Sequence, residues 1–151
     1  MKKLVTFFSV EYGNTREIAK AIADELQADI FEIIPQKPYS KADINWRNPL
    51  SRCNREFFAK KEVPANTVEN IDEYDEIYVG FPIWYGCAPL VVNCFLKGLD
   101  LTGKKIYVFA TSGGSGIGKT KEKLLPYVPG AEIVDCKLTQ TVDEAKAFVN
   151  K

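Results

Sequence analysis

The sequence contains no histidine. That removes the Ser-His-Asp and Cys-His nucleophile arrangements and the commonest zinc ligand. Excess charge is also lacking: 20 Lys and Arg residues balance 20 Asp and Glu. A net charge of zero is no footprint for nucleic acid or for an anionic membrane. The cysteines, Cys53, Cys87, Cys94 and Cys136, are scattered, with no C-x-x-C pair. No apolar run reaches the length of a membrane span. Met1-Lys2-Lys3 leads straight into a strand-like run, with no signal-peptide core or cleavage site. A cytoplasmic protein with reduced thiols is therefore expected. Internal repeats, low-complexity tracts and a G-x-G-x-x-G dinucleotide fingerprint are missing as well.

What is present fits one domain over residues 1–151. At 46% hydrophobic, a chain of this length buries a proper core, and no linker divides it. Residues 3–9 form a continuous apolar run, as in a strand covered on both faces. Asn14 and Glu17 have the spacing of a capping box. Ile18, Ala19, Ile22, Ala23 and Leu26 then make one stripe at helical spacing. Further strands are expected over residues 28–34, 75–81, 105–110 and 131–138. Helices are expected over 90–99, 119–127 (stopped by Pro126) and 142–150. Residues 36–64 have weak periodicity, with Trp46, the Phe57-Phe58 pair and the basic Arg47, Arg52 and Arg55; short helices and a ligand cover or partner surface are the expectation there. Strands alternating with helices imply a parallel α/β sheet with helices on both faces, most simply the doubly wound order 2-1-3-4-5.

Three small-residue loops follow strands one, three and four. Ligands of such sheets bind at the carboxyl edge, where the winding reverses. The first loop, S-V-E-Y-G-N-T over residues 9–15, opens a helix. Backbone N–H groups and the partial positive charge at a helix start hold a phosphate without a cationic side chain. Ser9, Asn14 and Thr15 add polar groups, Gly13 permits close approach, and the loop has no lysine. The second loop, P-I-W-Y-G over 82–86, offers Trp84 and Tyr85 as flat faces for an aromatic ligand. The third, over 111–118, is rich in glycine. Within it, residues 113–120 read G-G-S-G-I-G-K-T and satisfy the triphosphate-loop pattern G-x-x-x-x-G-K-[ST]. Context opposes that meaning. The chain ends one strand and one helix later, and Asp135 is a poor match for a magnesium-holding acid.

Taken together, these loops resemble the flavodoxin family, and in particular its short-chain, flavodoxin-like branch. The motifs are Ser9…Gly13-Asn14-Thr15, Gly80-Phe81-Pro82-Ile83-Trp84-Tyr85-Gly86 and Thr111-Ser112-Gly113-Gly114-Ser115-Gly116, in this order. The resemblance implies a flavodoxin-like five-stranded sheet and FMN as cofactor, with no metal and no catalytic side chain of the protein's own. It implies cofactor contacts from Ser9, Tyr12, Gly13, Asn14 and Thr15, with the phosphate on Ser9, Gly13, Asn14 and Thr15. Pro82, Ile83, Trp84, Tyr85 and Gly86 on one side, and Thr111, Ser112, Gly113, Gly114 and Gly116 on the other, would hold the ring. An FMN-dependent oxidoreductase follows, taking electrons from a reduced nicotinamide or a redox protein and passing them to a small acceptor such as a quinone. A flavodoxin-type electron carrier is the alternative. Two departures stand out. The first loop has one residue more than the family's S/T-x-T-G-x-T, with Tyr12 in place of a threonine, so either the loop bulges or Ser9 is not a phosphate ligand. The neutral charge differs from the strongly acidic electron shuttles.

Overall fold

A computed structural model describes residues 2–9, 14–35, 65–83, 88–112, 117 and 119–150. The elements are β1 (Lys3–Phe7), α1 (Thr15–Leu26), β2 (Asp29–Glu32), β3 (Glu76–Pro82), α2 (Leu90–Lys97), β4 (Lys105–Thr111), α3 (Thr120–Leu124), β5 (Glu132–Leu138) and α4 (Val142–Val149). The strands form one sheet in the order β2-β1-β3-β4-β5, and every pairing is parallel. This is the expected doubly wound order.

The alternation of side chains along the strands sorts the core into two layers. Leu4, Phe8, Ile77, Val79, Phe81, Ile106 and Val108 lie in one, with Val91, Val92, Phe95 and Leu96 of α2 and Leu124 of α3. Val5, Phe7, Tyr78 and Phe109 lie in the other, with Ile18, Ala19, Ile22 and Ala23 of α1 and Ala145 and Phe148 of α4. Both faces of the central strands are thus covered, which is why their sequences read as unbroken apolar runs. Gly80 is fixed by this packing. A Cβ built there would lie 2.1 Å from the Phe109 ring, which occupies the space beside β3.

Several boundaries differ from the sequence expectation for identifiable reasons. The edge strand β2 stops at Glu32 because its partner stops at Phe7, the last residue of the β1–β2 register. The helix expected over 119–127 divides: α3 ends at Leu124, and a 3-10 turn, Leu125–Tyr127, takes over around Pro126. Proline has no N–H to continue an α-helical ladder. In β5 the register slips so that Ile133 faces Ile106 and Asp135 faces Tyr107, leaving Val134 as the extra, exposed residue. The structure of residues 36–64, with Trp46, Phe57, Phe58 and the three arginines, lies outside the described residues. The chain leaves and rejoins at a bridge between Pro35 and Ala65. Asn66 clasps that point: its amide donates to the Glu32 carbonyl at 2.9 Å, and its Oδ1 accepts from the Ile34 N–H at 2.8 Å.

Candidate functional site

The carboxyl ends of β1, β3, β4 and β5 lie on one edge, and short polar contacts tie the segments that leave them. Thr111, the last residue of β4, is the junction. Its carbonyl accepts from the Ile83 N–H at 2.8 Å, joining the exits of β3 and β4. Its hydroxyl lies 2.8 Å from the Thr15 hydroxyl at the start of α1. Both threonines are buried. A hydroxyl has one proton and two acceptor lone pairs. In this pair one oxygen donates and the other keeps its proton for a further partner.

A second link runs through Gln140, two residues beyond β5. Its amide forms a reciprocal pair with the backbone of Ser112: Oε1 accepts from the Ser112 N–H at 2.9 Å, and Nε2 donates to the Ser112 carbonyl at 2.8 Å. The Gln140 carbonyl in turn accepts from Asn14 Nδ2 at 3.1 Å. Asn14 stands at the N-cap of α1, as expected, but its side chain makes no capping bond. The capping box with Glu17 does not form. The long-range contact with Gln140 wins, and the first-turn amides of α1 are left uncapped by Asn14. Thr139, between β5 and Gln140, is buried and its hydroxyl has no hydrogen-bond partner among the described residues.

The edge is polar but uncharged where these links form. Asn14, Thr15, Thr111, Ser112, Thr139 and Gln140 carry no ionisable group. Arg16, in the first turn of α1, is engaged elsewhere: its guanidinium pairs with the Glu32 carboxylate at 2.6 Å and lies over the Phe7 ring. Anion attraction here falls to backbone N–H groups and the helix end.

Of the residues singled out from the sequence, the structure brings Asn14, Thr15, Ile83, Thr111 and Ser112 into this connected set. Ser9 follows β1, half-buried, and Pro82 closes β3. Tyr12, Gly13, Trp84, Tyr85, Gly86, Gly113, Gly114 and Gly116 lie outside the described residues. Gln140 and Thr139 carried no sequence signal, since a Thr-Gln-Thr stretch before a helix reads as an ordinary turn. The triphosphate-loop reading fares poorly on its described members. The Thr120 hydroxyl, which would have to meet a magnesium ion, donates to the Ile117 carbonyl at 2.5 Å and is buried. Lys119 is exposed, and α3 is a helix of 5 residues. Among the described residues no group of His, Cys, Asp and Glu has the arrangement of a metal site. No described helix is long and apolar enough to cross a membrane.

Known proteins match this architecture. A family model described as Flavodoxin matches residues 2–151. A candidate flavoprotein from Bacteroides uniformis ATCC 8492 is 34% identical, with a TM-score of 0.91 over 99% of this chain and 98% of its own. A candidate flavoprotein from Bacteroides eggerthii DSM 20697 is 33% identical, with a TM-score of 0.85 over 99% and 96%. A flavoprotein from Lactobacillus acidophilus NCFM, solved in complex with FMN, shares the fold at 17% identity, with a TM-score of 0.71 over 99% of each chain. Among curated proteins, the uncharacterized protein MJ0298 of Methanocaldococcus jannaschii is 32% identical over 75% of this chain, which spans 55% of that relative's length. With the sheet order, the connected carboxyl edge and a family match over nearly its whole length, the chain belongs to the flavodoxin family.

Proposed function

We propose that the protein binds FMN at this carboxyl edge and works as an FMN-dependent oxidoreductase. Electrons would come from a reduced nicotinamide or a redox protein and go to a small acceptor such as a quinone. The observation that carries the reading is the start of α1, to which Asn14 gives no side-chain cap, beside the Thr15–Thr111 pair. It offers backbone and hydroxyl donors to a terminal phosphate, and the first loop has no lysine that would suit a triphosphate and magnesium. The buried Thr139 hydroxyl at the same edge, without a partner among the described residues, fits a polar ligand there.

Bound FMN would supply hydride and single-electron transfer, and the chain would bind, orient and shield it. Ser9, Asn14, Thr15 and the first-turn amides of α1 are the candidates for the phosphate. With Thr111 donating to Thr15, the Thr15 proton is free for that anion. Pro82 and Ile83, with Trp84, Tyr85 and Gly86 beyond them, would bracket the ring from the β3 side and exclude water. Ser112 and the glycines after it would meet its polar edge with backbone groups.

The test is a titration of purified protein with FMN, followed by turnover with reduced nicotinamide and excess quinone. Binding together with quinone-dependent turnover supports the full reading. Binding without turnover by any donor leaves a carrier, and no binding of FMN overturns both. Residue by residue, Thr15→Val should weaken FMN about ten- to a hundredfold, the value of a hydroxyl bond to a charged group. Lys119→Ala should change it less than about threefold, since an exposed charge is screened. The reverse order, with tight ATP binding that vanishes in Lys119→Ala, would restore the triphosphate loop.

A further inference from the structure

We propose that Gln140 is a positioning residue that couples the phosphate end of the site to its ring end. The proposal rests on the FMN reading above. Gln140 touches both ends at once. Its backbone carbonyl holds the Asn14 side chain at the start of α1, and its side-chain amide holds both backbone groups of Ser112 where the loop after β4 begins.

The geometry makes the coupling specific. A primary amide that accepts from the N–H and donates to the C=O of one residue cannot turn over without breaking both bonds. The two peptide units that flank the Ser112 Cα are therefore both tied to Gln140. Asn14 is held by the backbone carbonyl of the same residue, so a displacement of Asn14 reaches Ser112 through one residue, Gln140. A phosphate that fixes the start of α1 thereby also orders the start of the ring loop, and a ring that orders the loop favours the phosphate. Such coupling is reciprocal by linkage. The neighbouring Thr15–Thr111 bond fixes the base of the two segments, and the Gln140 bridge acts one step outside it, on the residues that would face the ligand.

The phosphate's own share of binding reads this coupling. It is the ratio of the dissociation constant of riboflavin, which lacks the phosphate, to that of FMN. Calorimetry with both ligands on the parent, Gln140→Ala and Gln140→Glu measures it. Gln140→Glu is isosteric: it keeps the acceptor for the Ser112 N–H and loses the donor to the Ser112 carbonyl. Gln140 lies outside both hydrophobic layers, so both variants should fold. The coupling predicts a ratio lower by about fivefold or more in Gln140→Ala, and at least as low in Gln140→Glu, whose carboxylate faces the Ser112 carbonyl and adds a charge that opposes the phosphate. A residue that merely supports the loop would weaken both ligands by one factor and leave the ratio unchanged, and that result overturns the proposal. Failure of the parent itself to bind FMN overturns the functional reading instead.

Discussion

The two edges of the sheet are held by different chemistry. At the amino edge the contacts are charged or aromatic. The Lys2 ammonium meets Glu73 at 3.3 Å, the Lys104 ammonium donates to the Tyr74 carbonyl at 2.6 Å, and the Tyr74 hydroxyl donates to Asp29 at 2.7 Å. Tyr78 and Tyr107 stack nearby at 4.6 Å, with Phe148 edge-on to Tyr78. At the carboxyl edge the contacts are hydroxyl and amide pairs among Asn14, Thr15, Thr111, Ser112 and Gln140. The amino edge closes the sheet; the carboxyl edge leaves short polar groups around the exits of the strands. Neutral contacts also leave the helix end as the main electrostatic feature there, which suits an anion.

The frame shared by both edges should give the largest effect. Gly80→Ala drives a methyl group into the Phe109 ring, which is fully buried and can yield only by displacing its neighbours in the core. Overpacking of this kind should cost about 3 kcal/mol, read as a lower urea midpoint. If the cost is under about 1 kcal/mol, the Phe109 ring is not the rigid wall described here.

The amino half should be the pH-sensitive one. Burial pushes the Tyr78 phenol up from 10.0 to about 12, with the Glu76 carboxylate adding to it. An unfolded tyrosine ionises near the ordinary value, so between pH 10 and 12 the unfolded chain loses a proton that the folded chain keeps. Stability contributed by this group is intact below pH 10 and lost as pH rises toward 12. The loss should be about 2 kcal/mol across that window, and Tyr78→Phe should remove it from the pH profile of unfolding. An unchanged slope in Tyr78→Phe would assign the alkaline loss to other groups.

At the carboxyl edge stability and binding should separate. Thr111→Val leaves the buried Thr15 hydroxyl without its partner and should cost about 1.5 kcal/mol. Adding Thr15→Val replaces both hydroxyls by methyl groups of similar shape, so the double variant should recover most of that loss. FMN affinity should not recover, because the hydroxyl offered to the phosphate is gone. Denaturation and FMN titration on the same three proteins decide it. Recovery of both, or of neither, would mean that the pair has a single role.

The same contrast explains what the sequence made legible. Strands covered on both faces announce themselves as unbroken apolar runs, so β1, β3 and β4 and their order could be read directly. The extent of β2 could not, because it is set by where β1 ends. Asn14 and Glu17 misled for a related reason: local spacing suggested a capping box, but the Asn14 amide has a partner 126 residues away. Thr15 and Thr111 are separated by 96 positions and Ser112 and Gln140 by 28. Thr15 entered as a polar group of a phosphate-holding helix start, and Thr111 and Ser112 as ligand contacts through the family resemblance, while their links to one another had no local signature. Gln140, with no motif around it, was invisible until the fold brought it to the edge.

The smallest effect should come from the most conspicuous contact of the amino edge. Lys2 and Glu73 form an ion pair in plain view, each side chain about half exposed, at 48% and 52%. The pairing raises the lysine's pKa, and hydrogen bonds from Asn70 and then from Lys2 lower that of the glutamate. Water and salt screen such a pair, and holding two long side chains together costs entropy. The backbone of Lys2 is anchored separately, its N–H donating to Asp75 Oδ2 at 3.2 Å, so the strand keeps its place when the ammonium is removed. Lys2→Met keeps most of the aliphatic stem but removes the ammonium, and with it the exposed contact 5.0 Å from the centre of the Tyr74 ring. Its melting temperature should stay within about 1 °C of the parent's, at low and high salt alike, with FMN affinity unchanged. A larger drop that high salt abolishes would show real strength in the charged edge. The difference between the edges would then lie in the kind of contact alone, not in how much each contributes.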